Sequence, residues 1–160
     1  MSKSIVAYFS ASGTTARLAK TLSAATGAAL YEIRPAVPYE RRDLNWMDKK
    51  ARSTIEMQDP DCRPALAGDV IPVAEADVIF LGFPIWWYRE PAIIDSFLEA
   101  YDFTGKTVVP FFTSGGSQLG EGQQRIRKLA KGARVLKGER FSGGVSEKAL
   151  KGWVSGLSLE

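Results

Sequence analysis

The stretch YFSASGTTARLAK, residues 8–20, joins an apolar run to a helical pattern through a short turn that is rich in hydroxyl groups. The run Ile5–Phe9 is continuously apolar, which is typical of a strand buried on both faces of a parallel sheet. The turn that follows surrounds Gly13 with the hydroxyl side chains of Ser10, Ser12, Thr14 and Thr15. In parallel sheets ligands bind where a strand ends and its connection to the next helix begins, and so we expect a binding site at this turn.

The turn offers the donors that a phosphate group requires. A helix beginning near Thr14 has unpaired backbone amides and the positive end of its dipole, and the hydroxyls add neutral donors. Gly13 allows the backbone to approach a ligand closely. The alternative is a simple helix cap by Ser12 or Thr14, but a cap needs only one hydroxyl. The sequence therefore predicts a phosphate site formed by Ser10, Ser12, Gly13, Thr14 and Thr15.

Further along the chain, apolar runs alternate with helical patterns. Strand candidates lie at Ala29–Ile33, Val78–Phe83, Val108–Phe112 and Arg134–Leu136, and helix candidates at Thr14–Ala25, Pro91–Tyr101, Gly120–Ala130 and Ser146–Val154. This alternation predicts an α/β fold, with a parallel sheet covered by helices on both sides.

Two features interrupt that pattern. The interval 35–76 is too long for a simple connection, and within it we expect Asp43 to cap a helix that ends near Glu56. The remainder of the interval should lie on the surface. Pro110 falls inside a predicted strand, where proline is disfavoured, and we therefore expect a local bulge at this residue.

Composition limits the possible functions. The chain of 160 residues has the size of one ordinary domain, and we expect a single domain over residues 1–160. It has no histidine, which excludes Ser-His-Asp hydrolysis and the common zinc sites, and its one cysteine, Cys62, cannot form an internal disulfide. No apolar run is long enough to span a bilayer, and we expect a cytoplasmic protein without a membrane partner.

The net charge of +3 is unevenly distributed. Its positive excess follows Gly105 at helical spacing, which indicates an exposed helix face rather than a nucleic-acid site. In contrast, residues 65–104 carry seven acidic side chains that only Arg89 opposes.

Two further loops follow predicted strands, and both should reach the same edge of the sheet as the first turn. GFPIWWYREP, residues 82–91, presents large flat side chains, and FFTSGGSQLGEG, residues 111–122, presents accessible backbone amides. Aromatic faces bind planar rings by stacking, and amides recognise a polar ring edge. The alternatives are a core or protein-interface patch for the aromatic loop and a flexible turn before a helix cap for the other.

These three motifs together resemble the flavodoxin family. YFSASGTTARLA is similar to its phosphate-binding signature, and PIWWYREP with TSGGSQLG is similar to the flavin loops of the branch that has a tryptophan pair after a proline. The resemblance covers essentially the whole chain. It implies a three-layer flavodoxin-like fold with a five-stranded parallel sheet in the order 2-1-3-4-5, and a non-covalent FMN.

By that resemblance, the residues of the first turn would hold the phosphate of FMN. The flavin ring would lie between two groups of residues: Pro84, Ile85, Trp86, Trp87 and Tyr88 on one side, and Thr113, Ser114, Gly115 and Gly116 on the other. Tyr39 and Trp46 of the interval 35–76 are further candidate contacts.

The resemblance implies an electron carrier that makes transient contact with redox partner proteins, a reductase and an electron acceptor, and that is a monomer or weak dimer. The acidic segment 65–104 would suit docking to a basic partner, although a sequence pI near 9 departs from the acidic flavodoxins. An FMN-dependent NAD(P)H oxidoreductase of the quinone reductase type is the alternative, and a flavin-free binding module is a third possibility. No catalytic residue and no metal ligand is predicted.

Overall fold

The computed structural model describes residues 3–159, which form five α-helices around a mostly parallel sheet. In chain order the elements are β1 (Ser4–Tyr8), α1 (Thr14–Thr26), β2 (Ala29–Glu32), β3 (Arg34–Pro35), α2 (Arg52–Gln58), β4 (Leu66–Ala67), β5 (Val78–Pro84), α3 (Ala92–Ala100), β6 (Thr107–Thr113), α4 (Gly122–Leu129), β7 (Arg134–Val135), β8 (Glu139–Arg140) and α5 (Glu147–Ser155). None of the helices within 3–159 is long and apolar enough to cross a bilayer.

The central sheet has the order β2-β1-β5-β6-β7, with β8 also paired to β6. All of these pairs are parallel. The predicted flavodoxin-like α/β fold and its strand order are therefore confirmed. The carboxyl ends of β1, β5 and β6 lie at one edge of the sheet, because parallel strands run in the same direction.

Helices cover both faces of this sheet because its central strands are apolar on both faces. Leu22 of α1 and Leu150 of α5 are fully buried in one cluster with Phe80 of β5. On the opposite face, Phe97 of α3 is buried with Ile79, the neighbouring residue of β5. Successive residues of a strand point to opposite faces, so the unbroken run in β5 serves two cores at once.

Pro110 causes no bulge, contrary to the sequence prediction. It pairs in continuous register with Leu81 of β5. The even-numbered residues of β6 face the outer strand, since the carbonyls of Val108 and Phe112 accept the amides of Leu136 and Phe141. Pro110 faces the same side, and there the outer strand is interrupted between β7 and β8. The missing amide proton of proline is accommodated by a gap in the neighbouring strand rather than by a bulge.

The start of the helix predicted from Asp43 to Glu56 is also wrong. The structure has a 3₁₀ turn at Arg41–Leu44, in which the Asp43 side chain accepts the amide of Glu40, and α2 begins only at Arg52. Between them, the side chains of Asn45 and Asp48 accept the backbone amides two residues ahead. Such local side-chain bonds compete with helix formation and explain the interruption.

Gly82, in the middle of β5, is expected to tolerate no side chain. A Cβ at this position would lie 2.3 Å from the ring of Phe111, which is fully buried in β6. We predict that Gly82→Ala lowers the free energy of unfolding by about 1–3 kcal/mol in urea denaturation.

Gly152→Ala is the matched control for this substitution. Gly152 lies within α5, and its added Cβ would meet no atom within 4 Å. Alanine there should raise the free energy of unfolding by about 0.5–1 kcal/mol. Equal effects of the two substitutions would contradict the packing described for β5.

Candidate functional site

The loops after β1, β5 and β6 converge at the carboxyl edge of the sheet, where they line a cavity of about 410 Å³. Its walls come from four segments: Ser12 and Thr14 after β1, Pro84 and Ile85 at the end of β5, Thr113, Ser114 and Gly115 at the end of β6, and Phe141, Ser142 and Gly143 after β8. The structure thus brings together residues from all three predicted loops. It adds a fourth segment that the sequence reasoning missed.

The turn at the start of α1 leaves backbone donors free. Gly13 is the N-cap residue, with φ 96°, and no side chain caps the helix. The first amide to find a helical acceptor is that of Arg17, which donates to the Gly13 carbonyl over 3.1 Å. Among the described residues, the amides of Thr14, Thr15 and Ala16 have no acceptor. The simple helix cap considered as an alternative is not what the hydroxyls form.

The hydroxyls of this turn have different surroundings. Ser10 Oγ accepts the Gly13 amide over 3.1 Å, and the Ser12 and Thr14 hydroxyls lie 3.5 Å apart on the exposed side. Ser10 also lines a separate cavity of about 320 Å³ beside Tyr39. A Cβ added at Gly13 would meet no atom within 4 Å, so the space in front of the amides is open.

Thr15 differs from its neighbours because its side chain is buried. Its hydroxyl bonds to the hydroxyl of Thr113, the last residue of β6, with 2.8 Å between the oxygens. Both residues are predicted site residues, and the structure places their side chains in contact with each other. This bond fixes the start of α1 to the end of β6 and leaves the Thr15 amide free.

A second cavity, of about 500 Å³, has aromatic walls. It is lined by Leu44, Trp46, Ser53, Ile85, Trp86, Trp87, Tyr88 and Ser117. Ile85 lines both cavities, so they lie side by side along the same edge. The interval 35–76 therefore contributes one wall of the site, and Trp46, a candidate contact from the sequence, belongs to it.

The three aromatic residues after β5 are not equivalent. Trp86 is half-buried and packs edge to face against Phe9 and Tyr39, with ring centroids 5.7 and 5.3 Å away. Trp87 and Tyr88 are 39% and 67% exposed. Trp86 is thus partly a core residue, as the alternative interpretation of this loop proposed, whereas its two neighbours present free faces.

Tyr39 holds its proton tightly. Its hydroxyl donates to Glu56, and the Arg52 guanidinium lies 3.9 Å above its ring. Burial, followed by the hydrogen bond to Glu56, raises the pKa of Tyr39 far above its usual value. This hydroxyl therefore stays protonated near neutral pH.

Trp87 and Tyr88 occupy a strained two-residue turn. Both have positive φ, 49° and 62°, a region that residues other than glycine rarely occupy. Trp86 and Arg89 close the turn by exchanging two backbone hydrogen bonds of 3.0 and 3.2 Å. Such backbone costs roughly 1–3 kcal/mol per residue and persists only where the surroundings fix it.

Two groups that the sequence reasoning missed contribute to the site. Gly143 lies against Thr14, and a Cβ there would be 2.7 Å from Thr14 Cγ2, so only glycine allows this approach. The SGG sequence at 142–144 was the available signal, since it repeats the SGG of 114–116. Ser53 lines the aromatic cavity, and its buried hydroxyl has no partner among the described residues. Nothing in the sequence distinguishes it from other serines.

Gly116, a predicted site residue, lines neither cavity. Ser114 is held by Arg140 of β8, whose guanidinium donates to the hydroxyl and to the carbonyl of Ser114 over 3.1 and 2.9 Å.

Within residues 3–159 there is no cluster of side chains able to hold a metal ion.

Comparison with known proteins identifies the family. The family model described as flavodoxin matches residues 3–157. The chain belongs to the flavodoxin family. A crystal structure from Bacteroides eggerthii, of a protein provisionally named a flavoprotein, is 45% identical to this flavodoxin-family chain, with 97% of each chain covered and a TM-score of 0.90. No curated protein matches the chain.

Two more distant structures share the fold. A flavoprotein in complex with FMN from Lactobacillus acidophilus is 21% identical, with 96% of this chain and 99% of that chain covered and a TM-score of 0.73. The apo form of an NADH:FMN oxidoreductase is 17% identical, with 99% and 91% covered and a TM-score of 0.54. The flavodoxin-like fold therefore occurs both with bound FMN and in an enzyme.

The bond between Thr15 and Thr113 can be tested by a double-mutant cycle. Thr15→Val leaves the buried hydroxyl of Thr113 without its partner, and we predict a loss of about 1–3 kcal/mol in the free energy of unfolding. Adding Thr113→Val removes the orphaned group, so the double variant should lose clearly less than the sum of the two single variants. Strictly additive losses would show that the two hydroxyls do not interact.

Proposed function

We propose that this protein binds FMN non-covalently and acts as an electron carrier. The observation that carries the proposal is the set of free amides of Thr14, Thr15 and Ala16 at the carboxyl edge of the sheet, beside neutral hydroxyls and an open aromatic cavity. A helix N-terminus of this kind favours a phosphate group. The flavodoxin family and the FMN complex of the Lactobacillus acidophilus structure support the same cofactor.

The residues present fit both ends of FMN. The amides at the start of α1, with the Ser12 and Thr14 hydroxyls, supply donors for a phosphate, and Gly13 keeps the space in front of them open. The aromatic cavity offers the faces of Trp46, Trp87 and Tyr88 to a planar ring. When bound, FMN supplies reversible redox chemistry, and the protein orients it and sets its potential.

Polar groups near the aromatic cavity suit the polar edge of such a ring. The unpartnered hydroxyl of Ser53 lies in the cavity wall, where a buried polar atom without a partner is costly. Gly115, which lines the adjoining cavity after β6, adds an exposed backbone amide, and a Cβ at this glycine would meet no atom within 4 Å.

An electron carrier is favoured over an oxidoreductase because the described site has no histidine and its partly buried phenol, Tyr39, is already engaged. The chain has no histidine, and the Tyr39 hydroxyl is bound to Glu56 with a raised pKa. A carrier needs no dedicated acid, whereas general acid catalysis requires a group whose pKa lies near the working pH.

The oxidoreductase remains the second candidate for a specific reason. Trp46 and Tyr88, which line the aromatic cavity, are 71% and 67% exposed. An open aromatic surface of this kind suits a planar substrate such as a quinone.

The expected docking of a basic partner on the acidic segment 65–104 finds little support. Glu90 and Asp95, the acidic residues next to the aromatic loop, are fully buried among arginines. The exposed Asp77 and Asp102 precede β5 and β6, at the opposite edge of the sheet. We infer that redox partners recognise the apolar surface around Trp46 and Trp87 rather than an acidic patch.

The phosphate site is tested by Gly13→Asp, which adds negative charge and bulk in front of the free amides. We predict that FMN affinity, measured by quenching of flavin fluorescence on titration of apoprotein, falls by about 100-fold or more. Gly27→Asp is the matched control, because Gly27 ends the same helix with φ 74° and equally open space. Gly27→Asp should retain the wild-type affinity; undiminished FMN binding by Gly13→Asp would overturn the assignment.

The choice between carrier and enzyme is tested with NADH or NADPH and a quinone. The FMN-loaded carrier should oxidise neither nucleotide at a steady rate until a separate flavodoxin reductase is added. Rapid turnover of the isolated protein would instead establish the oxidoreductase. The protein can also be mixed with excess FMN and then separated from the unbound flavin. A protein that is still colourless after this separation would refute both functions and support a flavin-free binding module.

A further inference from the structure

A buried cluster of charged side chains lies directly behind the turn formed by Trp86–Arg89. Arg89, Glu90 and Asp95 are 3%, 0% and 0% exposed. Arg89 Nη2 donates to Asp95 Oδ2 over 3.0 Å, and Arg125 Nη2 of α4 donates to the same oxygen over 2.6 Å. Arg63 reaches it from the chain after α2, with 3.8 Å between Nη1 and Oδ2. The proposed FMN site uses none of these charges.

Glu90 is paired less completely than Asp95. Arg125 Nε donates to Glu90 Oε2 over 3.3 Å, and Arg89 Nε lies 3.9 Å from Oε1, beyond hydrogen-bonding distance. Within the described part of the chain, neither Glu90 Oε1 nor Asp95 Oδ1 has a hydrogen-bond donor. Two buried carboxylate oxygens without donors would be strongly unfavourable if both groups were ionised.

A proton shared between the two acids would remove one of the two buried negative charges. Arg125 holds both carboxyls on one guanidinium group, with Nε donating to Glu90 Oε2 and Nη2 donating to Asp95 Oδ2, so the two buried acids are neighbours. Burial, followed by the neighbouring Asp95 carboxyl, raises the pKa of Glu90 well above its usual value. Asp95 accepts hydrogen bonds from two arginines, whereas Glu90 accepts from one.

We propose that Glu90 and Asp95 share one proton at neutral pH, and that this buried acid pair is the positioning device that holds the Trp86–Arg89 turn in its strained conformation. The proposal rests on the proposed function only in that this turn lines the cavity assigned to FMN. Glu90 and Asp95 are positioning residues, since they act on the cavity through Arg89.

The connection from the pair to the turn is direct. The backbone of Arg89 closes the turn against Trp86, while its side chain is bound to Asp95. Behind the pair, Gly122 at the start of α4 packs so closely that a Cβ would lie 3.1 Å from both Glu90 Oε1 and Arg89 Cα. Arg89 is thus fixed by backbone bonds on one side and by the acid pair on the other.

Loss of the proton to solvent would disturb this arrangement. Glu90 is then faced by Arg89 of its own loop, by Asp95 of α3 and by Arg125 of α4; Asp95 is additionally faced by Arg63, which is itself paired with Glu99. Two buried carboxylates with no proton between them repel each other. We expect Arg89 to be drawn into new pairing, so that the turn relaxes as the pH rises above the raised pKa of Glu90.

Infrared difference spectroscopy of the full-length protein tests for the proton itself, and it needs no flavin. A protonated carboxyl group has a C=O stretching band that a carboxylate lacks. We expect this band at pH 7, far above the usual titration of a glutamate, and we expect it to disappear at alkaline pH. A spectrum without the band at pH 7 would overturn the proposal.

Glu90→Gln assigns the band, because glutamine keeps the shape and a donor for Asp95 but cannot titrate. The variant should lose the band, whereas the control Glu99→Gln, which removes the half-exposed carboxylate paired with Arg63, should keep it. A band that persists in Glu90→Gln belongs to another residue and contradicts the proposal. If Glu90→Gln does not fold, the titration of the wild-type band decides alone: a band that titrates at ordinary carboxyl pH refutes the shared proton.

The pH profile of tryptophan fluorescence in the flavin-free protein tests the link to the turn. Wild type and Glu99→Gln should show an alkaline change in emission with the same midpoint as the infrared band, and Glu90→Gln should lose that change. A change that is the same in all three proteins would show that the acid pair does not hold the turn. Failure of FMN binding would leave both readouts unaffected, so the two proposals fail separately.

The sign of the effect on stability follows from the raised pKa. The folded protein retains a proton that the unfolded chain releases near the usual glutamate pKa. The free energy of unfolding of the wild type therefore falls as the pH rises through the interval between the usual and the raised pKa of Glu90. Glu90→Gln should show a shallower decline over this interval in urea denaturation, and Glu99→Gln should match the wild type.

Discussion

The in-register parallel pairing of β1, β5 and β6 determines where everything else in the molecule lies. Tyr8 pairs with Gly82, and Pro84 pairs with Thr113, so the three strands end within a few residues of one another. Each end is followed at once by a loop, and the three loops must therefore meet. The hydroxyl turn, the aromatic turn and the glycine-rich segment are distant in the sequence, yet the pairing makes them the walls of adjoining cavities.

The site combines open and fixed parts, and the difference has a physical basis. At the start of α1 the backbone itself is the binding group, and little has to move because Thr15 fixes the helix to Thr113. At the aromatic turn, Trp87 and Tyr88 are exposed in a backbone conformation that is unfavourable for their residue types. Their positions depend on buried contacts outside the cavity. Exposed side chains on a constrained backbone lose little conformational entropy when a planar ligand packs against them.

The fold was largely predictable because its signals are local and repeated. Continuous apolar runs such as Val78–Phe83 indicate strands covered on both faces, and only a few topologies can connect such strands. The absence of a helix start at Asp43 and the absence of a bulge at Pro110 were not predictable, because each depends on the conformation of neighbouring residues. Asn45 and Asp48 interrupt a helix by bonding to nearby amides, and Pro110 is tolerated because the strand beside it is broken.

The candidate site was predictable only where its residue types are unusual. Four hydroxyls around a glycine and a Trp-Trp-Tyr run stand out in any sequence. Ser53 and Gly143 do not, because one becomes important through burial beside a cavity and the other through its approach to Thr14. Charge was the most misleading signal. Residues 65–104 are acidic as a sequence, but Glu90 and Asp95 are matched by Arg89 and by two arginines from outside the segment.

That pairing changes what a redox partner encounters at the site. The acidic side chains directly behind the aromatic turn are buried and paired with arginines, so they present no acidic patch at this face. Under the proposed function, contact would involve Trp46, Trp87 and Tyr88, which line the aromatic cavity and are exposed. Apolar contacts form only at short range and are insensitive to salt. Under the proposed function, recognition at this face would thus differ from that of carriers that dock through acidic surfaces.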